Sequence, residues 1–575
     1  MLRGTLGGRR IEIEGAGVWE IAAGAELAVE LSSGGHWYGH GFSHVQPYPL
    51  ETGEVVNRSF AVNNCRSPIW LCSAGYVLFV DTTQLLDVRL NEGGDDLLRI
   101  SCESRVPLRV FSGATLPAAH GEMLAACGWP NEPPETNLFG DSIFCTWTQF
   151  PRCITEERVL DMARQIRAHK FPCSTIIIDD RWETCFGELD FSTDFPDPRA
   201  MVDELHEDGF SVWLWVTPFV NRESGVYGDL AKRGVLVRGG DGGAAPMRWW
   251  GGEAGLVDLT APAGREWFRG RLLRLRDEFG VDGFKVDGGD FKYQPPRESA
   301  KWHDYRGPSG YADELLSLIE EIAPGRAETR TTWLSQGRRI LWRQGGKDSH
   351  WGIDNGLRGL VSLALHMGLL GYDILMPDMV PGRVQTLEKD FPLPTDELMV
   401  RWAEASAVMP VLQFSYFPWN YCGETEAAVL GWARFHKALE DYLGEAAADR
   451  RAPLVRPIWY DAPHEEALYD VSDELMLGGD LLAAPVLEPG ATAREVILPP
   501  GKWRDAWTGA VETGGGRKSV PAPCPGMPVF VREGNEALFG DLNTALSKIR
   551  RGCVASGVTT ATYEAGIDRD VGVTG

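Results

Sequence analysis

The chain has 575 residues and a net charge of −25 at pH 7. This length exceeds what one hydrophobic core usually holds, so it predicts several domains. Hydrophobic residues at 43% and charged residues at 24% are ordinary globular proportions, which excludes a largely disordered chain. The acidic balance argues against binding to nucleic acid or to an anionic membrane surface.

The cysteines and the apolar segments indicate in which cellular compartment the protein is expected. The 11 cysteines lack both metal-ligand spacing and a dense framework, which disfavours a zinc site and favours a reducing compartment. The start of the chain, from Met1 to Gly4, has no basic and then apolar signal-peptide pattern. The longest apolar run, residues 359–376, is interrupted by His366 and Asp373 and predicts buried structure, not a membrane span. We therefore expect a cytoplasmic protein.

Residues 1–135 contain short strand-like runs, for example at residues 10–14 and 76–80, separated by glycine-rich turns. Such runs are typical of antiparallel sheets with one buried face. This segment predicts an N-terminal β-sandwich.

Strand-like and helix-like segments alternate through residues 136–430, with helices predicted at residues 155–170, 198–208 and 265–279. Eight strands separated by helices are what a (β/α)8 TIM barrel requires. An open doubly wound sheet is the alternative fold, which the missing GxGxxG motif weakens. The predicted strands are residues 143–150, 174–180, 211–220, 283–287, 326–333, 340–345, 372–377 and 411–417.

The remaining chain returns to short strands. Residues 431–540 predict a C-terminal β-sandwich domain. Residues 541–575 are polar and rich in small residues, which predicts a poorly ordered tail. The fold class is therefore predicted to be α/β, with a TIM barrel between two β-sandwich domains.

Acidic residues follow several of the predicted barrel strands. The active site of a barrel is built at the C-terminal ends of its strands. Converging carboxylates cost desolvation and repulsion, which indicates a role beyond folding. The acidic candidates are Asp179 and Asp180 after strand two, Asp287 after strand four, Asp348 after strand six and Asp378 after strand seven. Tryptophans among them are Trp182, Trp249, Trp250, Trp333 and Trp351.

Carboxylates beside tryptophans favour a sugar ligand, held by hydroxyl contacts and by stacking on indole rings. A divalent metal is the rival use of clustered aspartates. The histidine ligands of such sites are missing, since His350 stands alone among these strand ends. We expect neither a metal nor a cofactor.

Two carboxylates suffice for glycoside hydrolysis, one as nucleophile or base and one as acid. Asp287 and Asp348 form the best pair. Lys285 stands two residues before Asp287, on the same side of the strand, where it would either favour an ionised nucleophile or serve as a structural ion-pair partner. Near Trp351, we expect Asp348 to have the raised pKa that a general acid needs.

Several motifs resemble those of glycoside hydrolase family 31. They are Phe-Lys-Val-Asp-Gly-Gly-Asp at 284–290, Lys-Asp-Ser-His-Trp at 347–351, and segments 195–198, 215–221, 248–250, 370–379 and 484–490. The chain looks most like the myogenesis-regulating glycosidase group of this family, whose characterised activity is α-galactosidase. The resemblance implies a retaining double displacement and a glycoside substrate.

The resemblance also implies roles for individual residues. Asp287 would be the nucleophile and Asp348 the acid/base. Arg330 would support the sugar and the charge of the site, with Arg343 as a second candidate. Asp179 would hold distal sugar hydroxyls, with Asp180 as the alternative. The further substrate-binding candidates are Trp249, Trp250, Lys285, Trp333, Trp351, Asp378 and Ser415.

Two departures separate the chain from typical α-glucosidases of the family. Lys285-Val286-Asp287-Gly288-Gly289-Asp290 stands where those enzymes have Trp-Ile-Asp-Met-Asn-Glu, and Ser415 stands where they carry a histidine. Both favour galactose over glucose. An α-glucosidase or transglycosylase, and an inactive carbohydrate-binding or regulatory protein, stay open as alternatives. A homo-oligomeric state also stays open.

Overall fold

The computed structural model describes residues 1–42, 46–57, 65–130, 132–384 and 392–555. The predicted fold class is confirmed: a parallel eight-stranded barrel lies between an N-terminal and a C-terminal β domain. No helix in these ranges is long and apolar enough to cross a membrane.

The N-terminal domain consists of two antiparallel sheets with the orders β2-β1-β4-β10-β9-β6 and β3-β11-β8-β7-β5. Along its strands, buried positions commonly alternate with more exposed ones, as Leu98, Ile100 and Cys102 show, because one face of each sheet covers the core. The strands are β1 Leu2–Leu6, β2 Arg9–Ile13, β3 Gly17–Ile21, β4 Glu26–Glu30, β5 Trp37–Gly41, β6 Val55–Asn57, β7 Arg66–Cys72, β8 Tyr76–Val80, β9 Leu86–Leu90, β10 Leu97–Cys102 and β11 Val106–Ser112.

Helix α1, Leu116–Ala126, follows these strands and was not predicted. It packs against β8 and β11. Pro117 lies in its first turn, where a missing N–H is not needed.

The barrel sheet has the order β21-β20-β19-β18-β14-β13-β12-β22, with every pair parallel. Its strands are β12 Ser142–Cys145, β13 Cys173–Ile178, β14 Ser211–Val216, β18 Gly283–Val286, β19 Ala327–Thr329, β20 Leu341–Arg343, β21 Leu375–Met376 and β22 Gln413–Phe414. Between β14 and β18 a small antiparallel sheet is formed by β15 Phe219–Asn221, β16 Met247–Trp249 and β17 Gly252–Leu256. The helices are α2 Glu156–Ala168, α3 Pro198–Glu207, α4 Tyr227–Arg233, α5 Pro262–Phe279, α6 Gly310–Ile322, α7 Leu357–Leu369, α8 Asp396–Ala407 and α9 Gly423–Lys437.

Backbone contacts bridge the seam between β21 and β22. Val411 N donates to Leu375 O at 3.3 Å, and Val380 pairs with Phe414. The strands are buried on both faces, as the wholly buried β13 illustrates, which explains their continuous apolar sequence.

Helix α2 illustrates how the outer helices form. Thr155 accepts a hydrogen bond from Arg158 N at the helix start, which satisfies one orphan donor. The buried side chains Val159, Met162 and Ile166 recur at helical spacing and face the barrel.

The C-terminal domain contains one sheet with the order β23-β24-β25-β30-β27-β28 and a separate pair, β26 with β29. Its strands are β23 Val455–Arg456, β24 Leu475–Leu477, β25 Leu481–Ala483, β26 Ala493–Leu498, β27 Lys502–Asp505, β28 Val511–Thr513, β29 Gly516–Pro521 and β30 Val529–Arg532; its helices are α10 Glu440–Ala448 and α11 Glu536–Ala555.

Two predicted domain bounds fall inside helices of this region. The domain boundary predicted at residue 430 falls inside α9. The tail predicted from residue 541 starts inside α11, which packs against α9 and buries Leu542, Leu546 and Ile549. Apolar residues spaced by three and four positions explain this helix. Residues 556–575 lie outside the described residues.

Candidate active site

A cavity of about 250 Å³ opens at the C-terminal end of the barrel strands. It brings together side chains from strand ends that are far apart in the chain. The lining residues are Trp147, Asp179, Asp180, Trp215, Trp250, Lys285, Asp287, Arg330, Arg343, Gly346, Asp378, Met379 and Arg383.

Asp287 follows β18 directly and lies in this cavity. Its Oδ1 lies 2.8 Å from Arg330 Nε and 3.6 Å from Arg343 Nη2, and its Oδ2 accepts from Trp215 Nε1 at 3.3 Å. Burial alone would raise the pKa of Asp287, but the charges of Arg330 and Arg343 outweigh burial and hold it below its ordinary value. The group is therefore an ionised carboxylate at neutral pH.

The two glycines after Asp287 allow the chain to turn close to the barrel. Gly288 and Gly289 have φ values of +84° and +88°, which side chains rarely adopt. A Cβ on Gly288 would lie 2.5 Å from Phe219 Cζ, and one on Gly289 would lie 2.7 Å from Leu315 Cδ2. The two glycines at this strand end are thus explained by the backbone conformation and by the lack of space for a side chain.

Lys285 forms its close ion pair with Asp179, not with Asp287. The Nζ–Oδ2 distance is 2.8 Å, and Glu328 Oε1 lies at 3.8 Å from the same ammonium. Burial lowers the pKa of Lys285, yet the charges of Asp179 and other neighbours outweigh burial and raise it above its ordinary value. This pair favours the structural alternative that the sequence left open, while Lys285 also lines the cavity, as a substrate-binding residue would.

Glu328 is a buried residue of the site that the sequence did not single out. Its Oε1 lies 3.1 Å from Arg343 Nε, and its Oε2 accepts from Gln413 Nε2 at 2.9 Å. Arg343 therefore bridges Glu328, Asp287 and Asp378, the last at 3.3 Å. The only sequence signal was the position of Glu328 inside a short predicted strand.

Two further acids beside Asp287 are buried, and burial raises the pKa of each. Burial and the neighbouring Asp179 raise the pKa of Asp180 to about 8. Burial raises the pKa of Asp290 to about 7. One oxygen of each has no hydrogen-bond donor among the described residues. Asp180 also lines the cavity.

Asp348 has an environment that differs from the expected one. Asn355 Nδ2 donates to its Oδ2 at 2.9 Å, and Arg383 Nη2 forms an ion pair with its Oδ1. Burial would raise the pKa of Asp348, but Asn355 and Arg383 outweigh burial and lower it. The expectation of a raised pKa is wrong, because a partner arginine from another loop was not visible in the sequence.

Asp378 is held by the two loops that meet at the cavity. Its φ of +71° is unusual for a non-glycine residue. Its Oδ2 accepts from Lys347 N at 3.0 Å and its Oδ1 accepts from Arg343 Nη1 at 3.3 Å. Strain at such a position is typical of functional sites.

Family models match three consecutive stretches of the chain. Residues 139–445 match the "Glycosyl hydrolases family 31 TIM-barrel domain", residues 451–535 the "Glycosyl hydrolase family 31 C-terminal domain", and residues 10–115 the "Myogenesis-regulating glycosidase N-terminal domain". The chain belongs to glycoside hydrolase family 31.

Related proteins of this family share sequence and fold with the chain. The myogenesis-regulating glycosidase of Mus musculus is 32% identical over 507 residues, which are 82% of this chain and 70% of the mouse protein. The 1,3-alpha-isomaltosidase of Kribbella flavida is 32% identical over 376 residues, 59% of this chain and 50% of that protein. A family 31 alpha-xylosidase from a soil metagenome, solved with xylose, has a TM-score of 0.79 at 22% identity, over 93% of this chain and 83% of that chain.

Of the aromatic candidates in this family 31 chain, Trp250 lines the cavity and is 38% exposed. Trp249 lies behind it, with Nε1 donating to Asn221 Oδ1 at 2.8 Å. Trp147 and Trp215 line the cavity but were not proposed as sugar-binding residues. The sequence signal that could have identified them was their position in segments predicted as barrel strands.

Besides Trp249, three predicted substrate-binding residues of the family 31 site lie outside the cavity lining. Trp333 is buried in the N-terminal core, with Nε1 donating to Thr82 O at 2.6 Å. Trp351 packs against the main core. Ser415 is fully buried and accepts from Thr148 N at 2.7 Å. Their placement depends on how loops fold back, which strand order does not reveal.

Proposed function

We propose that this family 31 protein is a retaining exo-α-glycosidase that removes a terminal α-linked hexose, most favourably galactose. The single observation that carries the proposal is the ionised Asp287 at the wall of a cavity of about 250 Å³. A cavity of this size suits one sugar ring. Tryptophans and charged groups on its wall supply stacking and hydroxyl contacts.

In the proposed reaction, Asp287 attacks the anomeric carbon while the bond to the leaving oxygen breaks. Asp348 gives its proton to that oxygen. The resulting glycosyl ester is then hydrolysed, with Asp348 taking a proton from the attacking water and Asp287 leaving as a carboxylate. Arg330 and Arg343 stabilise the carboxylate at both ends of this cycle because they lie beside its Oδ1.

The preference for galactose rests on the motif around Asp287. Lys285 and the two glycines replace the bulkier residues of typical α-glucosidases, and Lys285 lines the cavity together with its partner Asp179. Ser415, the second sequence argument, is bonded to the Thr148 backbone and contributes no support. Relatives named as an isomaltosidase, a xylosidase and a sulfoquinovosidase represent the alternatives that need testing.

A substrate panel tests the sugar. Nitrophenyl α-galactoside, α-glucoside, α-xyloside and α-N-acetylgalactosaminide are compared by kcat/KM, and a sulfoquinovoside is added. We expect the α-galactoside to be cleaved fastest. NMR of the first-formed product should show the α-anomer, as retention requires. A faster α-glucoside would favour the α-glucosidase alternative, and turnover of none would favour a carbohydrate-binding protein.

The variant Asp287→Asn tests the nucleophile. We expect kcat to fall by more than about 10³-fold, because nucleophile removal in enzymes of this kind is that costly. The measurement is hydrolysis of the best nitrophenyl glycoside, with thermal unfolding to verify the fold. Near wild-type turnover by the folded variant would refute the assignment of Asp287.

A further inference from the structure

Both carboxylate oxygens of Asp348 contact neighbouring side chains. Asn355 donates to Oδ2 at 2.9 Å, and Arg383 pairs with Oδ1. These contacts stabilise a carboxylate, whereas the first step of the proposed reaction requires a carboxylic acid. The contacts that stabilise the carboxylate must therefore weaken before Asp348 can hold a proton and act as an acid.

Backbone hydrogen bonds hold Arg383 beside Asp348. Its N donates to Lys347 O at 2.9 Å, and its O accepts from Ser349 Oγ at 3.0 Å. Asp348 and Arg383 also pair in a parallel bridge. The loops that carry Asp348 and Arg383 are thus joined on both sides of the ion pair.

The side chain of Arg383 also lines the cavity and is 30% exposed. It therefore contacts the proposed acid and also faces the cavity in which the proposed glycoside would bind. A planar guanidinium has several donors, so it can transfer some of them from a carboxylate to sugar oxygens.

We infer that Arg383 is a positioning residue that holds Asp348 ionised until a leaving-group sugar binds and then frees it for proton uptake. The inference rests on the proposed function. When sugar hydroxyl oxygens accept hydrogen bonds from Arg383, Asp348 loses its counter-charge and takes a proton from solvent. It then passes that proton to the glycosidic oxygen as the bond to the anomeric carbon breaks.

Other charged groups also face Asp348. His350 is close enough to influence the ionisation of Asp348, and Asp348 is close enough to influence the ionisation of Lys347. Asp354 Oδ1 lies 3.8 Å from His350 Nδ1. A test must therefore separate the effect of Arg383 from that of these neighbours.

The test compares pH profiles of Arg383→Gln and Arg383→Lys with the wild type on an α-galactosyl disaccharide that the wild type cleaves. The fall of kcat/KM at alkaline pH, its alkaline limb, reports the pKa of the acid in the free enzyme. The alkaline limb of kcat reports the pKa of the same acid in the enzyme–substrate complex. In the wild type, we expect the kcat/KM limb to lie below the kcat limb. Arg383→Gln should move the kcat/KM limb up by about 1–3 pH units and leave the kcat limb in place. Arg383→Lys should stay close to the wild type.

Two controls sharpen the result. Arg358→Gln removes another arginine, one that pairs with Glu488 outside the cavity lining, and should move neither limb. His350→Gln should move the kcat/KM limb less than Arg383→Gln does, because Arg383 forms the direct ion pair with Asp348. Nitrophenyl galactoside, whose leaving group needs little protonation, should be insensitive to Arg383→Gln on the alkaline side.

The inference fails if the kcat/KM limb of Arg383→Gln coincides with that of the wild type, or if His350→Gln moves it instead. Asp348→Ala separates this failure from that of the proposed function. If Asp348→Ala loses disaccharide hydrolysis while Arg383→Gln moves no limb, only the role of Arg383 is wrong. If Asp348→Ala keeps that activity, the acid/base assignment itself is wrong.

Discussion

At the scale of single residues, the buried charge of Arg343 is shared among several carboxylates. Arg343 is 3% exposed and lies within ion-pair distance of Asp287, Glu328 and Asp378. Removing such a charge from water is costly unless several partners share it. The carboxylate that the arginines leave ionised is the one proposed to attack, while Asp180 nearby favours its neutral form.

Lys285→Met tests whether Lys285 serves the structure. Because the change leaves Asp179 buried without the counter-charge of Lys285 and leaves Glu328 with Arg343 alone, we expect a loss of about 3–5 kcal/mol in the free energy of unfolding. Chemical denaturation measures it. Adding Asp179→Asn should recover part of the loss, since one uncompensated charge is then removed.

Lys437→Met is the matched control. Lys437 pairs with Asp141 at 3.1 Å and Glu440 at 2.7 Å, but its side chain is 39% exposed. Water screens such a pair, so the loss should stay below about 1 kcal/mol. Equal losses for the two lysines would contradict the structural role of Lys285.

At the scale of elements, the loops after the strands decide which predicted residues meet. The strand positions and the ends of β13, β18 and β21 could be predicted, because buried parallel strands are continuous apolar runs that end in polar residues. The acids Asp179, Asp287 and Asp378 therefore line one cavity, as expected. The partner of Asp348 could not be predicted, because Arg383 lies 35 residues further along the chain, in a different loop.

Gly288→Ala tests the loop after β18. The left-handed backbone and the 2.5 Å approach to Phe219 should cost about 1–3 kcal/mol of stability and shift Asp287, which precedes it directly. We expect kcat to fall at least tenfold, since small misplacements at a reacting group are costly. Unfolding and steady-state kinetics measure the two effects.

Gly240→Ala is the control for this change, because Gly240 has no heavy atom within 4 Å of the added Cβ and no left-handed φ. It should leave both kinetics and stability close to the wild type. If Gly288→Ala behaved in the same way, the conformational reason given for this glycine would be wrong.

At the scale of the whole molecule, the N-terminal domain is tied to both other domains. Cys65 forms a bridge with Thr332 of the barrel, and Tyr38 OH donates to Tyr469 O of the C-terminal region at 2.8 Å. Trp333 extends from the barrel into the N-terminal core. The barrel loops at the site are thus supported from outside the barrel.

Trp333→Ala tests this support. We expect a loss of about 3–5 kcal/mol in stability, because a large buried side chain leaves a cavity, and little change in KM, because Trp333 is outside the sugar cavity. Trp250→Ala should show the reverse, with a raised KM and little loss of stability, since Trp250 is 38% exposed at the cavity. A large KM effect of Trp333→Ala would restore its predicted role in binding.

The sequence by itself determined the order of domains, the barrel and the strand ends that carry Asp287, Asp179 and Asp378, because hydrophobic periodicity and turn residues act locally. Only the tertiary structure decided which charges pair. Lys285 meets Asp179, and Asp348 meets Arg383, across distances in the chain that no local pattern encodes. Since burial and partner charges set the ionisation of each group, the chemistry of the site depends on those contacts.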